Sequence, residues 1–335
     1  MPTPVTITEI TPGSTGWQTV DLTAYFGSDA GNVAGVILEF VANTTSAYDI
    51  GCRKYGSTDT FTSNLLANAH IMAMCGVDSS DRIEINVGNT TNVDVYLIAY
   101  YLNNEAVFFD NWIDKSLGSN SVWTDIDISG NTGSDTAIAA IFFTKNVSST
   151  TSYLFGFRNN GSSVTGPTNA RLLALKGNFT IIGLTSEVCE HMVDNGNIDS
   201  YLVGYLTDKY VPVDYTDKQT GTAGSYQDTD VSAILSSTAN GVYVHFDPIT
   251  VTSSYGWDVR KNGSTRQPAG SRLGQRDMGT AWCEVDANKI LDQYVSNTAM
   301  DCYITGYSEP SSSVGTPTRK RRMNQPMRFN NYGFN

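Results

Sequence analysis

Tyr-Asp-Ile-Gly-Cys-Arg-Lys-Tyr-Gly-Ser (Tyr48–Ser57) decides the reading of this chain, because it returns twice. The copies are Tyr-Leu-Phe-Gly-Phe-Arg-Asn-Asn-Gly-Ser (Tyr153–Ser162) and Tyr-Gly-Trp-Asp-Val-Arg-Lys-Asn-Gly-Ser (Tyr255–Ser264). Each reads Tyr, four residues, Arg, two residues, Gly-Ser. A closing motif keeps the same beat: Tyr96–Tyr100 (YLIAY), Tyr201–Tyr205 (YLVGY) and Tyr303–Tyr307 (YITGY), whose final tyrosines lie 105 and 102 residues apart. An opening motif places an aromatic four residues before Asp and an aliphatic: Trp17 with Asp21-Leu22, Trp123 with Asp127-Ile128, Tyr226 with Asp230-Val231. Three landmarks in one order at one period define three tandem copies of a module of about 100 residues, long enough to bury a core.

Working outward, each copy is patterned as strands. In the first, Gly35–Val41, Ala47–Lys54, His70–Val77, Arg82–Val87 and Val93–Leu102 are β-rich runs, several alternating, separated by Gly, Asn, Asp or Ser clusters. Asp21 is placed to cap a short helical turn. Asn160-Gly161 and Asn262-Gly263 predict tight hairpin turns, whereas Tyr55 precedes the first copy's glycine. The expected fold class is all-β: three tandem antiparallel β-sandwich (jelly-roll-like) domains, 1–104, 105–208 and 209–310, followed by a linker and basic C-terminal arm, 311–335.

Composition supports a folded, β-rich protein. Only 16% of the 335 residues are charged, and 18 Tyr, 13 Phe and 5 Trp supply apolar bulk that a disordered chain lacks. The start, MPTPVTITEITPGS, carries neither a basic leader nor an apolar run, so neither a secretion signal nor a membrane span is expected. The formal charge of -12 argues against direct nucleic-acid binding. The charge is unevenly placed: Arg319, Lys320, Arg321, Arg322 and Arg328 lie beyond Thr316 with no acid, leaving 16 bases against 33 acids before it. An acidic body therefore ends in a cationic arm. Cys52, Cys75, Cys189, Cys283 and Cys302 show neither disulfide-framework nor zinc spacing and read as buried thiols.

The chain has no phosphate loop, dinucleotide fingerprint, nucleophile elbow or HExxH. No catalytic residue and no cofactor is expected. His70, His191 and His245 occupy different places in their modules and read as structural. Asp78 and Asp81, Asp125 and Asp127, and Asp228 and Asp230 are the carboxylate groups suited to a hard cation such as Ca²⁺, though they read first as capped turns and solvated loops. Arg53, Arg158 and Arg260 read as architectural, bonded to the repeated Asp21, Asp127 and Asp230; a partner contact is the other reading. Tyr100, Tyr205 and Tyr307 complete the repeated structural set.

Gly-x-Arg-x-x-Gly-Ser, the closing Tyr-(Leu/Ile)-x-(Ala/Gly)-Tyr and the Ser/Thr/Asn-rich strands, spanning Trp17–Tyr307, together resemble virion structural proteins of tailed phages and related viruses. These are head decoration proteins, head fibres and tail-associated proteins built of tandem β-sandwich modules. The resemblance implies a non-enzymatic virion component, made in the host cytoplasm and held to the capsid or neighbouring subunits. Homo-oligomerisation is expected with it. The arm's Arg319, Lys320, Arg321, Arg322 and Arg328 suit an acidic neighbour, and Met327, Phe329, Tyr332 and Phe334 supply apolar anchors. The alternative is a tail protein binding a receptor or host surface glycan through exposed Tyr and Trp. A polysaccharide hydrolase, needing two facing carboxylates in a cleft, ranks last.

Overall fold

The β-rich patterning becomes 24 strands in a computed structural model, described over residues 2–118, 121–164, 171–248, 254–265, 271–273 and 277–309. The first copy holds β1 (Thr3–Glu9), β2 (Gly16–Asp21), β3 (Val33–Ala42), β4 (Tyr48–Lys54), β5 (Ser63–Leu65), β6 (His70–Gly76), β7 (Arg82–Val87) and β8 (Val93–Leu102). The second holds β9 (Ala106–Asp114), β10 (Thr124–Asp127), β11 (Ala139–Asn146), β12 (Tyr153–Asn159), β13 (Arg171–Leu172), β14 (Gly177–Gly183), β15 (Val188–Val193) and β16 (Ile198–Leu206). The third holds β17 (Tyr210–Asp217), β18 (Gln227–Asp230), β19 (Gly241–Pro248), β20 (Tyr255–Lys261), β21 (Ser271–Leu273), β22 (Gly279–Glu284), β23 (Ile290–Val295) and β24 (Met300–Ser308).

The expected fold class of three tandem β-sandwich domains is corrected by the sheet arrangement. The strands form six four-stranded antiparallel sheets, the sheet inventory of a six-bladed β-propeller, joined into one body. Each copy contributes two sheets with interleaved order, β1-β8-β3-β6 and β2-β7-β4-β5 in the first, repeated strand for strand in the others. A propeller blade that takes four strands in succession is therefore not the local connection here.

The copies are packed together through their inner strands. The inner strands are buried on both faces: β3 has nine of ten residues buried and β6 all seven. One face packs within its own copy. The other meets neighbouring copies, with β6, β14 and β22 touching one another pairwise. One apolar core accordingly runs from Ile37, Met72 and Met74 through Phe143, Phe179 and Ile181 to Tyr243 and Trp282. Continuous apolar strands of this kind mark sheets covered on both sides.

Small residues in the closing motif have a job in the register. Opposite Ile37, Ile141 and Tyr243 stand Ala99, Gly204 and Gly306, each beside a register shift that leaves one residue unpaired. A Cβ on Gly204 would stand 2.3 Å from the Val107 carbonyl oxygen. The Gly-Ser turns also differ from the predicted hairpin type. Gly56, Gly161 and Gly263 have φ of 83°, 77° and 77°, while their preceding residues do not enter that region. Only one positive angle is needed, as in a type II turn, so Tyr55 serves as well as Asn160 or Asn262.

The C-terminal arm, including Arg319, Lys320, Arg321, Arg322, Met327, Arg328, Phe329, Tyr332 and Phe334, lies outside the described residues. Among the described residues, no helix is long and apolar enough to cross a membrane.

Candidate functional site at the seams between copies

The repeated arginines are drawn to the opening aromatics. Arg53 lies 4.2 Å over the Trp17 ring, Arg158 4.4 Å over Trp123 and Arg260 3.6 Å over Tyr226. Their carboxylate partners are not the repeated aspartates. Arg53 Nε donates to Glu84 at 2.9 Å, Arg158 Nε to Glu190 at 2.7 Å and Arg260 Nε to Asp292 at 2.9 Å. The acids come from the neighbouring strand, directly opposite each arginine in the register. Burial of a guanidinium between an acid and a ring makes each site a strut.

Asp21, Asp127 and Asp230 instead accept from the side-chain hydroxyl and the backbone N–H of the residue two positions on, Thr23, Ser129 and Ser232, which together hold all three carboxyls below their ordinary range. Tyr100 donates to Asp29 at 2.7 Å and Tyr205 to Asp135 at 2.9 Å, while Tyr307 packs against the third copy's core. Of the carboxylates considered for a cation, Asp78, Asp81, Asp127 and Asp230 are engaged otherwise, while Asp125 and Asp228 are exposed. Asp78 pairs with Arg82 at 2.7 Å, and Asp81 accepts the Gly31 N–H. No group of three metal-binding side chains occurs among the described residues.

The Gly-Ser serines, which the sequence reading passed over, clasp the next copy's first strand. Ser57 Oγ donates to Asn111 at 3.1 Å, and Ser162 Oγ donates to Asp214 at 2.7 Å. Lys54 adds a 2.5 Å ion pair to Asp110. Close packing follows: Phe108 of β9 lies on Gly35 and Gly76, where a Cβ would stand 2.2 and 2.8 Å from it. Pro212 of β17 lies on Gly183, where a Cβ would stand 2.4 Å from it. Gly35→Ala is expected to destabilise the protein by about 1–3 kcal/mol through overpacking, read by thermal unfolding. A change below about 0.5 kcal/mol would show that Phe108 does not need the glycine.

The seam between the third and first copies is built differently. Counting from the residues paired with Tyr100, Tyr205 and Tyr307, Thr6 stands where Asp110 and Asp214 stand. Glu284 stands where Gly76 and Gly183 receive the incoming strand. A cavity of about 160 Å³ remains, lined by Pro4, Val5 and Ile7 on one side and Lys261, Ser264 and Glu284 on the other.

Beside it, a smaller cavity of about 40 Å³ is lined by Glu39, His70, Asp258 and Trp257. His70 Nδ1 lies 2.9 Å from Glu39, and Tyr226 donates to Asp258. Burial lifts Asp258 to about 6, with the Tyr226 bond and the His70 charge pulling it back. The centre of the seam is held by the Tyr101 and Tyr243 hydroxyls, 2.7 Å apart. Glu39, His70 and Tyr101 come from the first copy and Tyr226, Asp258 and Tyr243 from the third, a juxtaposition that the sequence order hides.

The other two histidines are interior groups. His191 stacks on Phe157 at 4.0 Å and bonds Gly156 O and Ser200 Oγ, and burial pulls it down to about 4. His245 lies between Tyr215 and Tyr303, its Nε2 has no partner, and burial pulls it to about 3.

The site thus belongs to a class of all-β proteins whose repeated polar residues join sheets and copies. No family model matches the chain, and comparison with curated proteins gives no match. Among solved structures, the chain is similar to one in the atomic structure of Sulfolobus Turreted Icosahedral Virus, at 10% identity over 91% of this chain and 90% of that one, TM-score 0.23. Another is the M60 catalytic domain with CBM51-1 and CBM51-2 from Clostridium perfringens ZmpB, at 10% identity, 88% and 33% coverage, TM-score 0.20. A third is from the lipid-containing bacteriophage PM2, at 5% identity, 92% and 88% coverage, TM-score 0.15. The scores are too low for these likenesses to carry the functional argument.

Proposed function

We propose that the chain is a non-enzymatic structural component of a virus particle, a head decoration or fibre protein anchored through residues 311–335. The observation that carries this reading is the use of the repeated residues. All three Arg–aromatic–acid sites brace a sheet, and the Gly-Ser serines of the first two copies brace a seam. Repetition that strengthens a block, copy after copy, suits a load-carrying part. A three-copy body also matches the threefold environments that symmetric assemblies offer. The cationic arm gives such a block a charged tether to an acidic neighbour.

Removing Ser311–Asn335 is expected to leave a folded body that no longer co-sediments with particles. Unchanged incorporation would reject the anchoring role. A glycan array on the same truncated body tests the adhesive alternative, since specific sugar binding favours a receptor protein.

A further inference from the structure

Each copy turns an equivalent face to the first strand of another copy, but only two of the three seams are crossed by the chain. Leu102 leads into β9 and Leu206 into β17 within a few residues, so those strands stay beside the copy that precedes them. β1 reaches the third copy with no covalent connection. It is also the least anchored of the three equivalent strands: β9 buries Ala106 and Phe108, β17 buries Tyr210 and Tyr215, and β1 buries no residue from Thr3 to Glu9. Its pairing with β8 shifts between Pro4 and Thr8, and the 160 Å³ cavity lies against it. Glu284 in place of the receiving glycine explains the gap, because the strand cannot approach as Phe108 and Pro212 do.

We infer that β1 is an exchangeable strand, and that its partner is a second copy of this chain. The receiving surface recognises an incoming edge strand whose own copy is elsewhere. At seams one and two the equivalent faces pack side chains against the first strand of the next copy, a strand that pairs within its own copy as β1 pairs with β8, so exchange of β1 would re-form the same ladder and the same seam in a second molecule. Ile10 is buried and its N–H donates to Val95 O at 2.8 Å, so the segment Thr3–Ile10 would dock as a unit. The following Thr11-Pro-Gly-Ser-Thr15 supplies the hinge, with Pro12 and Gly13 at its centre. Five extended residues reach about 17 Å, enough to redirect the strand into an adjoining molecule. Exchange of an identical element adds no new interface chemistry and so has a low free-energy cost. The inference goes beyond the virion reading and does not need the arm.

The test mixes two full-length populations, one carrying Ile7→Cys and the other Ser264→Cys, with a short bis-maleimide. The native cysteines are all buried, so the introduced thiols report. A covalent two-chain product, increasing with protein concentration, is expected, and inserting Gly-Gly-Ser between Pro12 and Gly13 should alter its yield at least threefold. The I7C/S264C double variant sets the scale by cross-linking within one chain when dilute. Absence of a two-chain product while the double variant cross-links internally would overturn the inference, as would failure of both. A two-chain product that persists after deletion of Pro2–Glu9 from the Ser264→Cys population supports donation of β1 by the other chain.

Discussion

Replacing Lys176 by methionine is expected to lower stability by about 3–5 kcal/mol. Lys176 and Asp277 form an ion pair between the second and third copies, with the residues 2% and 0% exposed. Register places Lys176, Asp277 and Ala69 at the same position of the three copies, one or two residues before β14, β22 and β6 begin. Removing the ammonium takes the positive charge away from a carboxylate that stays fully buried. Lys176→Met with Asp277→Leu should recover most of the loss, since two apolar groups leave no charge to desolvate. Urea unfolding at pH 7, followed by tryptophan fluorescence, gives both numbers. A single variant within 1 kcal/mol of the parent would remove this pair from the account of how the seam holds.

Acid sensitivity is the second large effect. His191 and His245 stay neutral in the folded protein, at about 4 and about 3, whereas an unfolded histidine titrates near 6.5. Protons therefore bind the unfolded chain first as pH falls below 6.5, and stability declines until the folded values are reached. For His245 the loss amounts to roughly 3 kcal/mol at pH 4. Asp258 works in the opposite direction: its folded value of about 6 exceeds the unfolded carboxylate value, so its destabilising charge is relieved as pH falls through 6.

Among these three groups the two histidines outweigh the aspartate, so their combined contribution to stability falls as pH falls. His245→Phe is the clean probe, because Phe143 fills the equivalent place in the second copy and Nε2 has no bond to lose. The variant should gain about 1 kcal/mol at pH 7, and its advantage should widen by roughly 3 kcal/mol by pH 4. A pH-independent difference between variant and parent would refute the assignment.

Legibility followed the range of each interaction. The opening aromatic, the arginine and the closing tyrosine were visible as repeats, but the Arg53, Arg158 and Arg260 partners were not. Their acids sit more than thirty residues downstream on a strand that only sheet pairing brings opposite. A signal of joined copies was nonetheless present. Gly35–Val41 and His70–Gly76 are nearly unbroken apolar runs, which half-exposed strands of an isolated unit would interrupt with polar residues. The seam cavity was not legible, since it depends on Thr6 and Glu284, unremarkable residues until register aligns them with Asp110 and Gly76.

Sequence by itself determined the all-β character and the threefold repetition, because strand patterning, turns and duplicated motifs are local and survive as spacing. Tertiary structure alone decided that six sheets share one body, that Lys176 finds Asp277, and that the first strand is the loosest of its three equivalents. Those outcomes depend on which buried faces meet, and a face acquires its neighbour only after the chain has closed on itself.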